Sequence, residues 1–174
     1  MIAILGLLVA LFAPAAAATS VAPGARDTSV TTVIVVRHAE KTPNWVGSDP
    51  PLSDAGRARA AALAHVLADA HVDVIYATHF LRARATAEPL AALTRDSIEV
   101  VDQDHPDALA ARIWSRDRGR TVLIVGHSDT LPAIVRSLGG TMADLASGQF
   151  DAMIVITRRG EQPPHTLRLR YGAP

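Results

Sequence analysis

The chain has 174 residues, 49% hydrophobic and 20% charged, with no cysteine and seventeen basic against seventeen acidic side chains. This predicts one domain able to bury its own core. It excludes a disulfide scaffold, a cysteine-built zinc site, a thiol nucleophile and a cysteine-linked lipid anchor. A formal charge of zero supplies no overall field for nucleic acid or anionic lipid, so no nucleic-acid partner is expected.

Residues 1–25 carry no charged side chain. Ile2 to Phe12 is an apolar run followed by Pro14 and by Ala15 to Ala18, with Ala16 and Ala18 in an A-x-A cleavage pattern. Residues 1–18 therefore read as a signal peptide with Thr19 as the first mature residue, although no Lys or Arg precedes the apolar run. The competing reading is an uncleaved anchor, for which Pro14 and the alanines make a weak membrane span. A periplasmic or secreted protein is expected, without stable membrane association after cleavage. Residues 19–30 read as a flexible lead-in, and 31–174 as the domain proper.

In that domain, Thr31 to Val36 is a continuous β-branched run, expected as a strand buried on both faces. Lys41 to Pro51 is a loop. Ser53 is the N-cap of a helix whose apolar stripe is read as Ala55, Ala58, Ala62, Leu63, Val66 and Leu67. Val72 to Tyr76 is a second strand. A helix follows over Phe80 to Leu93, kinked or restarted at Pro89. Ile98 to Val101 is a short strand, and Pro106 opens another helix with Leu109, Ile113 and Trp114 as apolar positions. Thr121 to Val125 is the fourth strand, and the next helix ends at Gly139-Gly140. Met153 to Thr157 and Thr166 to Tyr171 close the chain as a hairpin around Arg159-Gly160. The alternation predicts an α/β fold: a three-layer α/β/α sandwich with a mostly parallel central sheet.

Ligands of such sheets bind outside the carboxyl ends of the strands. Those ends deliver Arg37-His38, then Thr78-His79 with Arg82 close behind, then Gly126-His127 before a helix. Two arginines, two histidines and a helix N-terminus suit a phosphoryl group. There is no Gly-x-x-x-x-Gly-Lys loop, no Gly-x-Ser-x-Gly elbow, and no His-x-His or His-x-x-x-His spacing for a metal pair. A neutral imidazole is itself a competent nucleophile toward phosphorus, with the arginines and second histidine steadying the equatorial oxygens. No metal and no cofactor are expected.

Four ordered segments then resemble the histidine phosphatase (phosphoglycerate mutase-like) superfamily: Arg37-His38-Ala39-Glu40, Pro51 to Ala60, Tyr76 to Ala87, and Gly126-His127. The resemblance implies the phosphoglycerate mutase-like fold and a phosphohistidine nucleophile at His38, with Arg37, Arg82 and His127 as phosphate ligands. The chain departs from the family pattern at Ala39, where glycine is usual, and at His79, where serine is common. It departs again at the proton donor, for which Asp102, Asp104, Asp107 and Asp129 compete. Asp104 is favoured, then Asp102.

Other residues have plainer readings. Glu40 and Lys41 read as an exposed loop pair, slightly ahead of substrate contact, and His79 divides evenly between phosphate donor and rim residue. Arg84 is a solvated helix charge; His65, His71 and His165 are surface histidines, and His105 sits solvated at a helix start. Trp114 reads as core. Arg116, Arg118 and Arg120 form a solvated basic turn, and Trp45 is a possible wall of the site. The helices and strand between Arg82 and His127 leave little chain for a lid, which favours hydrolysis over intramolecular transfer. The function expected is a metal-independent phosphatase acting on small phosphomonoesters. The alternatives are a non-catalytic phosphate- or phosphoprotein-binding domain, a phosphohistidine protein phosphatase, and a metallohydrolase using His38, His79, His127 and carboxylates.

Overall fold

The computed structural model describes residues 27–173. The expected leader and the lead-in up to residue 26 lie outside the described residues. The elements are β1 (Val30–Arg37), α1 (Asp54–Val66), β2 (Val74–Ala77), α2 (Leu81–Thr94), β3 (Ile98–Val100), α3 (Pro106–Arg116), β4 (Thr121–Gly126), α4 (Leu131–Ser137), β5 (Ala152–Arg159) and β6 (His165–Arg170). They build one six-stranded sheet in the order β3-β2-β4-β1-β5-β6. β3, β2, β4 and β1 pair in parallel; β5 is antiparallel to β1, and β6 to β5. Only β5 opposes the common direction, so the sheet is mostly parallel as expected.

The two-residue period of β1 explains the layers. Ile34 and Val36 pack with Leu63 of α1 and Leu67 at its C-cap, and with Ala83, Ala87 and Leu90 of α2. Val33 and Val35 face the other way, onto Leu109 and Ile113 of α3 and Ile134 and Val135 of α4. Each of these four β1 side chains is almost wholly buried, which contributes roughly 1.5–3 kcal/mol apiece. β1 thus sits in the middle of the sandwich, and the residues leaving its carboxyl end emerge from between the two halves of the core.

The helix periods hold with one rotation. Ser53 caps α1, its Oγ accepting from the Gly56 N–H at 3.1 Å. The buried face of α1, however, is Gly56, Arg59, Ala60, Leu63 and Ala64, while Ala55 and Ala58 are exposed and Val66 is 52% exposed. Reading alanines as the stripe rotated the helix by about one position. Gly56 explains the true orientation: a Cβ there would stand 2.1 Å from the Glu40 carbonyl oxygen, so only glycine lets α1 approach this closely. Pro89 lies inside α2 without interrupting it. The second strand begins two residues later than expected. Asp73 is held to the edge of β4 instead, its backbone N–H donating to the Thr121 carbonyl at 2.8 Å.

Candidate active site

Parallel pairing of β1 with β4 sets Arg37 opposite Gly126, and the His38 N–H donates to the Gly126 carbonyl at 2.8 Å. The next residue on each strand is a histidine, so His38 and His127 stand side by side with ring centroids 5.1 Å apart. Gly126 keeps this approach open to α4, since a Cβ there would meet the Leu131 side chain at 2.8 Å. β2, on the far side of β4, brings Thr78 to the same edge, and the first turn of α2 brings Arg82.

The hydrogen bonds decide which imidazole nitrogen is which. His38 Nδ1 lies 2.8 Å from the Ala39 carbonyl oxygen, which can only accept, so Nδ1 carries the proton and Nε2 keeps its lone pair. Burial, reinforced by His127, Arg82 and Arg37, pushes the His38 pKa down to about 3. At His127, Arg82 donates to Nδ1 at 3.4 Å, which leaves Nε2 to donate to Thr78 Oγ1 at 2.8 Å. Burial and the Arg82 charge lower its pKa to about 4. Both rings are neutral at pH 7, and the Ala39 backbone is steadied by Thr86, whose Oγ1 accepts from its N–H at 2.9 Å.

The two guanidinium groups are held from behind. Arg37 donates through one terminal nitrogen to the Ser147 carbonyl at 2.7 Å, with longer contacts to Ala146 and Gln149, and lies 4.1 Å from the Phe150 ring centroid. Arg82 donates to Asp49 Oδ1 at 3.3 Å and lies over Phe80 at 4.4 Å. Asp49 also accepts the Leu81 N–H, at 2.9 Å and 3.1 Å. It thereby does from the 41–51 loop the capping that Phe80, at the N-cap of α2, lacks the side chain to do. The Nε atoms of Arg37 and Arg82 are both buried without a protein partner. That is a large desolvation cost unless an anion arrives.

These groups open on a cavity of about 350 Å³. Arg37, His38, Arg82 and His127 line it with Lys41, Phe80, Gln103, Ser128 and Asp129. Four of the expected site residues therefore share one cavity. Others do not. His79 is exposed and stacks on Phe80 at 4.1 Å, outside the lining. Asp104 is exposed, its N–H turned back onto Asp102, which also holds His105. Asp107 accepts from Ser137 on α4. The loop folds about Asp102, so its carboxylates turn outward and Gln103 faces the cavity. Of the four competing carboxylates only Asp129 lines it. Trp45 is half exposed and is no part of this wall.

Of the expected exposed pair, Lys41 is exposed and Glu40 is not. Glu40 turns to the buried Arg59 of α1, which reaches it through Nε at 2.9 and 3.0 Å and through a terminal nitrogen at 2.8 Å. Lys41 goes the other way, into the cavity. The basic turn is exposed as expected, with Arg116 paired to Glu99 and Asp117 and Arg118 to Asp27 and Glu161 across the surface. Trp114 is half-buried against the α3–α4 core beneath Arg158, in keeping with the plain reading. Sequence reasoning missed Thr86, Asp49, Gln103, Phe150 and the 146–149 carbonyls. Of the neighbouring contacts, only Arg59 carried a signal: an arginine on an apolar helix face requires a partner. Among the described residues no group of three or more His, Asp or Glu is placed to hold a metal ion.

Comparison with known proteins meets this geometry. The sequence profile of the histidine phosphatase superfamily (branch 1) matches residues 33–105. Over those residues, fewer than half of the chain, the sequence is similar to that superfamily. A stretch of 88 residues, 48% of this chain, is 36% identical to phosphoserine phosphatase 1 of Hydrogenobacter thermophilus, but covers only 41% of that protein. The solved structure of the protein histidine phosphatase SixA complexed with tungstate superposes with a TM-score of 0.62 at 18% identity, covering 80% of this chain and 96% of that one. The phosphoserine phosphatase of Entamoeba histolytica, in complex with 3-phosphoglyceric acid, gives 0.63 at 13% identity, covering 83% and 98%. At such identities these likenesses establish the histidine phosphatase fold alone. The matched residues end before His127, which the β1–β4 pairing brings beside Arg37-His38 within them.

Proposed function

We propose that this chain is a metal-independent phosphatase that hydrolyses small phosphomonoesters through a phosphohistidine on His38. The observation that carries the reading is a neutral His38 with a free Nε2 lone pair, beside two arginines whose buried Nε atoms have no partner. In this reading Arg37 and Arg82 take the phosphoryl oxygens, His127 joins them by turning its Nε2–H from Thr78 Oγ1 to an incoming oxygen, and the guanidinium forks steady the charge in the transition state. His38 Nε2 attacks phosphorus in line, the bond to the leaving oxygen breaks, and Asp129 gives that oxygen a proton. Water then attacks the phosphohistidine, Asp129 takes back a proton, and inorganic phosphate leaves with His38 neutral again. The relative named for phosphoserine supports a small substrate; an exported location rests on the apolar leader alone.

The test is release of p-nitrophenol from its phosphate ester by the full chain, with EDTA present, together with trapping of labelled phosphoenzyme. The wild type is expected to turn over and to yield an acid-labile, alkali-stable phosphoenzyme, and His38→Ala to lose both. Turnover that survives His38→Ala overturns the phosphohistidine route. A folded chain that binds phosphate without turnover favours the binding-domain reading, which the exposure of Asp129, the one carboxylate at the cavity, keeps in view.

A further inference from the structure

Three short hydrogen bonds fix the chain around His38, and one of them ends on a side chain from another element. The His38 N–H donates to the Gly126 carbonyl at 2.8 Å, and the Ala39 carbonyl accepts from His38 Nδ1 at 2.8 Å. Between those groups lies the Ala39 N–H, which donates to Thr86 Oγ1 at 2.9 Å. Thr86 stands in the middle of α2 and is wholly buried. It is the one polar residue on a buried face otherwise made of Ala83, Ala87, Leu90 and Ala91. Valine has the same shape, so packing does not call for the hydroxyl. The hydroxyl hydrogen is committed as well, since Oγ1 donates to the Arg82 carbonyl one turn back at 2.8 Å. Its lone pairs are therefore what face Ala39. The Ala39 side chain is fully buried too, among Leu52, Ala60 and Ala85. With its N–H pinned and its methyl enclosed, Ala39 holds one backbone orientation, and the carbonyl that selects the His38 tautomer has one position.

We propose that Thr86 is a positioning residue for the phosphohistidine reaction: its hydroxyl ties the His38 segment to the Arg82 turn, so that Nε2 stands in line with the phosphorus Arg82 holds. The proposal rests on the phosphatase reading of the cavity. One oxygen accepts from the segment of the nucleophile and donates to the backbone of its phosphate ligand. Each side keeps its other contacts without it, since Arg82 still rests on Asp49 and Phe80, and His38 on Gly126. What the hydroxyl adds is the register between them. Near-attack geometry is sensitive to that register, a misplacement of about 1 Å costing about 10²-fold in rate.

Two substitutions in the full chain provide the test: Thr86→Val keeps the shape and removes both bonds, and Thr86→Ser keeps the hydroxyl. With p-nitrophenyl phosphate, Thr86→Val is expected to lower kcat about 10²-fold, while KM and the inhibition constant of inorganic phosphate stay within about threefold of the wild type. Thr86→Ser is expected to bring kcat back to within about threefold, because the hydrogen bonds return with the hydroxyl. Nitrogen-15 NMR of labelled histidine reads the same point without turnover. The wild type is expected to show His38 as the Nδ1–H tautomer at pH 7, and Thr86→Val a mixture of both tautomers. A folded Thr86→Val chain with kcat within about threefold of the wild type overturns the proposal, as does a loss that Thr86→Ser leaves unrepaired. Phosphate affinity that falls in step with kcat also overturns it, because Thr86 then shapes the whole cavity. Should Thr86→Val fail to fold, Thr86→Cys replaces it: a thiol is a weak acceptor, so about a tenfold loss of kcat is expected, and wild-type kcat overturns the role. A wild type without turnover removes the phosphatase reading. The spectra separate that failure from this one, since an unchanged His38 tautomer in Thr86→Val removes the role of Thr86 whatever the turnover, and a mixture keeps Thr86 as the group that orients the ring.

Discussion

Arg37 and Arg59 are buried to the same degree, each 8% exposed, and they stand on opposite sides of the Ala39–Glu40 segment in chemical terms. Burial works against the charge of both. At Arg59 the Glu40 carboxylate outweighs it, and the guanidinium is held above its ordinary pKa. At Arg37 nothing in direct contact outweighs it: its partners are neutral carbonyls and a phenyl ring, its Nε has no partner, and its pKa is pushed down. One arginine is complete within the fold, and the other is held in place but left without a counter-charge. A buried cation of the second kind costs stability that only an incoming anion returns, which is the physical signature of a binding site rather than of a scaffold.

Substituting each residue in turn separates the two roles. Arg37→Met is expected to lower kcat/KM for p-nitrophenyl phosphate by about 10³-fold, the usual scale for an arginine that steadies a transferring phosphoryl group. Its unfolding free energy from urea denaturation should change by less than about 1 kcal/mol, because a costly buried charge is lost along with its hydrogen bonds. A loss of rate below tenfold would mean that Arg82 holds the phosphoryl group alone. Arg59→Met is expected to do the reverse. Leaving Glu40 part-buried without its partner costs about 3 kcal/mol of stability, measured by urea denaturation, while the rate of the folded enzyme falls by no more than about tenfold. Should Arg59→Met instead lose rate without losing stability, the distinction drawn between the two arginines collapses.

Acid sharpens the comparison from the side of the histidines. The folded protein holds His38 near a pKa of about 3 and His127 near about 4, against an ordinary 6.5. Between those values the unfolded chain binds protons that the folded chain refuses. The stability held above pH 6.5 is therefore lost as the pH falls toward 4. Each such imidazole adds about 1.4 kcal/mol per pH unit to the slope where the difference is complete. His127→Asn is expected to remove one share of that slope in urea denaturation between pH 6 and 4.5. An unchanged slope would mean that the two rings are not held neutral. The carboxylates paired in the fold, Glu40 and Asp151 among them, are held below their usual range and act at lower pH.

Much of this was legible without a structure, for reasons that differ from residue to residue. The β-branched run ending in Arg37-His38 and the run ending in Gly126-His127 identify buried strands, and parallel sheets bring their carboxyl ends to one edge. The cavity that joins His38, Arg37, Arg82 and His127 follows from that rule. Which carboxylate lines the cavity did not follow. Asp104 and Asp129 have the same side chain and similar loop settings, and only the fold of residues 102–105 around Asp102 turns one away while Asp129 lines the cavity. Glu40 and Lys41 show the same limit, since adjacent charges in a loop read as a pair until a buried Arg59 claims one of them. The α1 stripe was misplaced because alanine tolerates either face of a helix; the close approach at Gly56, which depends on the Glu40 backbone, set the rotation.

What the sequence determined by itself is local or periodic: which segments become strands and helices, where Ser53 starts α1, and which residues leave the strand ends. What the tertiary structure alone decided is the pairing of groups far apart in the chain. Arg37 rests on the carbonyls of 146–149, Arg82 on Asp49, His127 on Thr78, and Lys41 on no partner among the described residues. Such contacts depend on distances between elements rather than on spacing along one of them. The protonation of a histidine and the counter-charge of an arginine are settled there, because burial and partner are properties of the folded surroundings and not of the residue.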